Sequence, residues 1–164
     1  MRLFVAIDLD EGARRAIAAE QRRIAELIGD AGQSTLKWVA TAHMHVTLVF
    51  LGETPDAHVE RLIDALSHDL DRKAFTVVFA GLGVFPPTGS PRVLWLGTRE
   101  GAAAVADVYA RVATRIEALG IDLEKRAFHP HITLGRWRMA RPVDARRALA
   151  SDSGDEVSCF RGPK

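Results

Sequence analysis

The chain carries a single cysteine, Cys159, among 164 residues, so it closes no internal disulfide and builds no cysteine-rich zinc site. Neither charge dominates: 22 Lys and Arg against 21 Asp and Glu leave a net +1. No global basic field is available to hold a nucleic-acid backbone, and any RNA contact must come from a local patch. No apolar run approaches the roughly 20 residues of a membrane-spanning helix. Residues 1–8 turn acidic too early for a signal peptide, so a cytoplasmic location with no membrane partner is expected. A Gly-x4-Gly-Lys-Ser/Thr phosphate loop is also missing, which removes the usual support for ATP-driven chemistry. What remains is ordinary globular composition, 48% apolar and 26% charged. The length suits one domain with a substantial core, and no linker or low-complexity segment divides it.

The apolar pattern alternates between strand and helix periods. Residues 3–8 read as a strand, and Asp10 can cap a helix carrying Ile17, Ile24, Leu27 and Ile28 on one stripe, until Gly29 and Gly32 stop it. Strands are expected at 36–39 and 45–51. Thr54-Pro55-Asp56 then opens a helix, with the Thr54 hydroxyl as cap and Val59, Leu62, Ile63, Leu66 and Leu70 as its buried stripe. Strands at 75–79 and 92–96 flank a loop containing Phe85-Pro86-Pro87. A third helix carries Val105, Val108, Val112, Ile116 and Leu119 and ends at Gly120; strands near 121–124 and 131–135 follow. Strand pairs separated by single helices predict an α+β fold with largely antiparallel sheets. Residues 1–164 are expected to form one domain of two pseudo-symmetric lobes, with sheets lining a central cleft and helices outside.

Two units answer each other across the chain: His45-Val46-Thr47-Leu48 and His131-Ile132-Thr133-Leu134. On a strand, residues i and i+2 share a face, so each His and Thr look the same way while Val46, Leu48, Ile132 and Leu134 face the core. With nine threonines in 164 residues, a Thr follows a given His at this spacing about once in 18 by chance, so the matched strand setting carries more weight than the bare pattern. Imidazole titrates near neutrality, and two copies can hold opposite protonation states at one pH. Two imidazoles and two hydroxyls in one cleft therefore suit proton transfer around a phosphate.

Several blocks in order extend the pattern: Arg2-Leu3-Phe4-Val5-Ala6-Ile7, Lys37-Trp38-Val39, residues 45–52, Pro91-Arg92-Val93-Leu94-Trp95-Leu96-Gly97, and Phe128-His129-Pro130-His131-Ile132-Thr133-Leu134-Gly135-Arg136. On these the chain resembles the RNA 2′,3′-cyclic phosphodiesterases, also called 2′-5′ RNA ligases, of the 2H phosphoesterase superfamily. The resemblance covers about residues 2–138. The tail from about residue 151, ending Ser158-Cys159-Phe160-Arg161-Gly162-Pro163-Lys164, departs from the family's usual further strands. The resemblance implies the two-lobed 2H phosphoesterase fold and opening of RNA 2′,3′-cyclic phosphate to a 2′-phosphate. It assigns His45 as proton donor to the leaving O3′ and His131 as the acceptor that activates water. Thr47 and Thr133 would bind the non-bridging oxygens. No metal and no cofactor is expected, and ligation would be the ATP-independent reverse reaction.

Arg136 lies five residues after His131, an odd offset that opposes it on a regular strand. A turn at Gly135 would return its guanidinium to the phosphate, which its forked donors suit. Arg138 and Arg141 extend a basic patch, and Trp38, Trp95 and Trp137 are candidate base platforms, although packing is the plainer role for each. His43, His58, His68 and His129 read as surface or loop residues. The expected partners are RNA ends or short oligonucleotides bearing a 2′,3′-cyclic phosphate, bound by a monomer. Two alternatives keep the same site: a phosphodiesterase for small cyclic phosphates, and a nucleotide-binding module without catalysis. Paired histidines argue against the second, because a binder needs no proton carriers.

Overall fold

The computed structural model describes residues 1–33, 35–138 and 157–161. Its elements are β1 (Arg2–Asp8), α1 (Glu11–Gln33), β2 (Leu36–Trp38), a short 3-10 turn (Thr41–His43), β3 (His45–Glu53), α2 (Asp56–Ser67), β4 (Thr76–Phe85), β5 (Val93–Glu100), α3 (Ala102–Glu117), β6 (His131–Trp137) and β7 (Val157–Arg161). Every strand pairing is antiparallel, in the order β1-β3-β6-β5-β4-β7, with β2 also on β6. The α+β architecture expected from the pattern is therefore the one observed. None of the helices is long and apolar enough to cross a membrane, among the described residues.

Local chemistry explains most boundaries. The Asp10 carboxylate accepts from the Ala13 N–H at 2.7 Å, capping α1 as expected. Regular helix breaks at Gly29, whose φ of 61° is left-handed. Ile17 and Ile24 are fully buried with Phe79, Leu94, Leu96, Ile116, Ile132 and Leu134, each such side chain worth about 1.5–3 kcal/mol relative to exposure. α3 buries Val105, Val108, Val112 and Ile116.

Four expectations need correction. Thr54 does not cap α2: its hydroxyl donates to Gly52 O at 3.3 Å, and Pro55 occupies the cap position. Leu27 and Ile63 are exposed, because each helix packs a face narrower than its apolar stripe. The strand expected at 75–79 is longer, since β4 runs from Thr76 to Phe85 and takes in the start of the expected loop. Residues 121–124 form no strand. Both edges of β6 are already occupied, by β5 on one side and by β3 and β2 on the other, so 121–130 crosses as an irregular strap. The tail carries an element that its pattern does not announce: Val157–Arg161 adds β7 to the outer edge of β4. Residues 139–156 and 162–164, including Arg141, lie outside the described residues.

The sheet has a weak seam. β3 and β6 share only the Val46–Ile132 pair, after which β3 departs with β1 while β6 takes up β2. At this divergence the Gln21 amide, reaching from α1, donates to Val39 O at 3.0 Å and Leu134 O at 2.9 Å. Val39 N–H also donates to Leu134 O at 2.9 Å. A cleft opens on the face of this seam.

Candidate active site

The seam sets the two motifs against each other. In antiparallel pairing, the Val46–Ile132 pair puts His45 toward Thr133 and Thr47 toward His131, about a pseudo-twofold through that pair. Val46, Leu48, Ile132 and Leu134 are all buried, as strand parity requires. His45, Thr47, His131, Thr133 and Arg136 all line the same cleft, which has a volume of about 930 Å³.

Arg136 reaches that cleft by a bulge, not by a turn at Gly135. Along β5 and β6, Leu94 opposes Gly135 while Trp95 opposes Thr133, so Leu134 is an extra residue. The shift restores Arg136 to the His131 face, opposite Val93. The same device recurs in the other half: Val5 opposes Val49 and Ala6 opposes Thr47, leaving Leu48 extra. The matched buried pairs Leu48-Val49 and Leu134-Gly135 are its signature. Gly135 serves a different purpose, since a Cβ there would lie 2.9 Å from Leu36 Cδ1 and push β2 off β6.

Both imidazoles are oriented alike. His45 Nδ1 lies 2.8 Å from His43 O, and His131 Nδ1 lies 2.7 Å from His129 O. A carbonyl only accepts, so each Nδ1 carries the proton and each Nε2 is left for chemistry. His43 and His129 thus contribute through their backbones. Their segments are anchored: Arg14 donates to Leu9 O at 3.0 Å and Thr41 O at 2.7 Å and pairs with Asp8, while the Thr98 hydroxyl donates to Pro130 O at 3.0 Å.

Their surroundings differ. His45 stacks on Phe4 at 4.8 Å and 22°. His131 sits in a corner, edge-on to Phe85 at 5.2 Å and 6.0 Å from Trp95. Burial there lowers the His131 pKa below its usual 6.5, the positive charge of Arg136 adds to that, and the His129 carbonyl opposes it. His131 is therefore held toward its neutral form. No carboxylate among the described residues pairs with Arg136, which leaves its guanidinium open to an anion.

The tryptophans are not part of the cleft wall. Trp137 is buried, Trp38 packs against the core, and Trp95 lies behind His131 with its Nε1 buried and unpartnered. The aromatic lining is instead Phe4, Phe50, Phe85, Tyr109 and Phe128, which alternation alone does not distinguish from ordinary strand and core residues. Arg138 is exposed just beyond β6 and does not line the cleft. Among the described residues no group of three or more His, Cys, Asp or Glu side chains could hold a metal ion.

Comparison with known proteins agrees with this geometry. Residues 7–95 match the family model described as LigT like Phosphoesterase. The RNA 2′,3′-cyclic phosphodiesterase of Archaeoglobus fulgidus is 33% identical over 159 residues, spanning 96% of this chain and 85% of that protein. A crystal structure of a Thermus thermophilus protein superposes with a TM-score of 0.74 at 27% identity, covering 99% of this chain and 84% of that one. E. coli LigT complexed with 3′-AMP gives 0.68 at 25% identity, covering 98% and 83%. With motifs, fold and relatives in agreement, the chain belongs to the LigT-like phosphoesterase family.

Proposed function

We propose that the chain hydrolyses RNA 2′,3′-cyclic phosphate ends to 2′-phosphomonoesters. Neutral His131 takes a proton from the attacking water through Nε2, the water oxygen bonds to phosphorus, and the P–O3′ bond breaks. Protonated His45 gives its proton to the departing O3′ from the opposite side. Thr47, Thr133 and Arg136 hold the non-bridging oxygens and stabilise the charge that builds on them. The observation that carries this reading is the pair of oriented imidazoles, each with Nδ1 on the carbonyl two residues earlier. The lowered pKa of His131 supports its role as the base.

Every proton in this scheme moves between substrate, water and the two imidazoles, so the residues named complete it. Ligation to a 2′-5′ linkage follows the same path in the same direction, with a ribose 5′-hydroxyl replacing water as the nucleophile, O3′ again leaving and no ATP consumed. The relative named RNA 2′,3′-cyclic phosphodiesterase supports the substrate class, and the 3′-AMP complex of the E. coli protein supports a nucleotide-sized ligand. A cleft of about 930 Å³ has room for a whole nucleotide. The test is incubation of a cyclic-phosphate oligoribonucleotide with the protein in EDTA, followed by assignment of the product phosphate. A 2′-phosphate is expected; a 3′-phosphate, or no turnover by folded protein, overturns the proposal.

A further inference from the structure

Three cations line up where β6 leaves the cleft, and opening of the cyclic phosphate uses only Arg136. Its partner across the β2–β6 pair is Lys37, and directly opposed residues of an antiparallel pair project from the same face. The parity of β2 agrees. Lys37 is exposed between buried Leu36 and the core-packed Trp38, and Val39, two residues on, lines the cleft. Arg138 follows Arg136 by two residues and is also exposed. Its N–H donates to Thr35 O at 2.9 Å, which continues the β2–β6 ladder past Trp137 and keeps Arg138 in the parity of Arg136.

Fold stability does not account for this row. Like charges set directly opposite each other destabilise a strand pair, yet Lys37 faces Arg136. Among the described residues no ion pair involves Lys37, Arg136 or Arg138. Elsewhere the arginines find carboxylates: Arg72 and Arg111 share Asp107, and Arg126 pairs with Glu124. The row lacks an anion, and the substrate supplies one beyond its cyclic end. Water attacks from the His131 side, so O3′ and the ribose that keeps it lie on the side of His45. Along β6, His131 is level with Thr47 and Thr133 with His45; Arg136 and Lys37 come next in the same direction. The wall beside His45 is apolar toward β1, at Phe4 and Phe50, and cationic toward β2. A charged phosphodiester one nucleotide away from the reacting phosphorus belongs on the cationic side.

We propose that Lys37 and Arg138 form a second phosphate subsite, which takes the phosphodiester on the 5′ side of the terminal nucleotide, so that an oligonucleotide end is preferred to a cyclic mononucleotide. This rests on the function proposed above. Adenosine 2′,3′-cyclic phosphate is compared with the dinucleotide that carries one more adenosine on its 5′ side. Wild type is expected to favour the dinucleotide about tenfold in kcat/KM, equivalent to about 1.4 kcal/mol. Lys37→Gln and Arg138→Gln should each lower that ratio and together remove it. The double variant should also lose about 0.7 from the slope of log KM against log salt for the dinucleotide. A dinucleotide with an uncharged methylphosphonate linkage keeps both bases, and wild type should treat it as the mononucleotide.

A wild-type ratio within about twofold of unity would overturn the subsite. So would a preference that survives the double substitution or the methylphosphonate. Equal losses on both substrates would also refute it, because they would put Lys37 and Arg138 at the cyclic phosphate. Calorimetric titration with adenosine 2′-phosphate and with the 2′-phosphorylated dinucleotide keeps this question apart from catalysis. If cyclic phosphates are not turned over, tighter binding of the dinucleotide that vanishes in the double variant still upholds the subsite. Equal affinities refute it.

Discussion

Gly83→Ala adds one methyl group, and its cost should fall on Trp95. Gly83 opposes Trp95 in the β4–β5 ladder. A Cβ at position 83 would stand 2.0 Å from Trp95 Cζ2, 2.3 Å from Cη2 and 2.4 Å from Cε2. Favourable carbon contacts lie at about 3.5–4.0 Å, so the indole must move by roughly 1.5 Å or more. Gly97 bounds the ring as well, since a Cβ there would lie 3.1 Å from Cζ3. The remaining direction is toward Phe85 and His131, whose centroids are 5.2 and 6.0 Å away. Overpacking of this kind costs about 1–3 kcal/mol, which lowers Tm by about 2–12 °C at this chain length. The same displacement disturbs the His131 corner, so kcat/KM should fall with stability. Trp95→Leu makes room, and thermal unfolding of both singles and the double should show a coupling energy of at least about 1 kcal/mol. Gly81→Ala is the control: its cost comes from a φ of 80° with nothing near the added Cβ, and it should not couple to Trp95. A Gly83→Ala protein melting within about 1 °C of wild type, or strictly additive costs with Trp95→Leu, would refute the reasoning.

Other perturbations separate the roles assigned to the site. Phe85→Leu reduces the burial that keeps His131 neutral, so the acid limb of the kcat/KM profile should move upward toward 6.5; an unmoved limb would deny that Phe85 desolvates the base. The depressed pKa also means that wild-type stability falls as pH drops below 6.5 and through the lower folded value, because the unfolded chain binds the proton more readily. Chemical denaturation across that window should show this slope, reduced in His131→Ala. Arg136→Met removes a charge-assisted contact worth about 1.5–3 kcal/mol, giving a fall of about 10- to 100-fold in kcat/KM with an unchanged Tm. Asp10→Ala deletes the α1 cap, and denaturant titration should record a loss of about 1 kcal/mol without a change in KM.

What the sequence disclosed followed from periodicity. The period of two in His45-Val46-Thr47 and His131-Ile132-Thr133 states which side chains share a face, and the burial of Val46 and Ile132 agrees. Long-range pairing was not legible. Nothing in residues 121–124 tells that β6 already has neighbours on both edges. The bulges were half-visible: apolar Leu48-Val49 breaks strict alternation, but only the ladder distinguishes an inserted residue from a doubly buried strand. That distinction returns Arg136 and Phe50 to the cleft face. Composition offered the tryptophans as candidate base platforms with packing as the plainer role, and packing is what they do: Trp137 is buried, Trp38 lies against the core, and a glycine at position 83 lets Trp95 lie flat against its neighbouring strand. Thr54 had the chemistry of a cap, but the left-handed turn at Gly52 offers its hydroxyl a nearer carbonyl.

The most direct test of the two-histidine mechanism is the rate of cyclic-phosphate opening by His45→Ala and His131→Ala, measured in single turnover with saturating enzyme. Each substitution should lower the rate by at least about 100-fold, the usual scale of a lost general acid or base, while both proteins keep wild-type melting at neutral pH and still bind adenosine 2′-phosphate. Either variant turning over at a near-wild-type rate would remove that imidazole from the reaction and contradict the paired acid–base assignment.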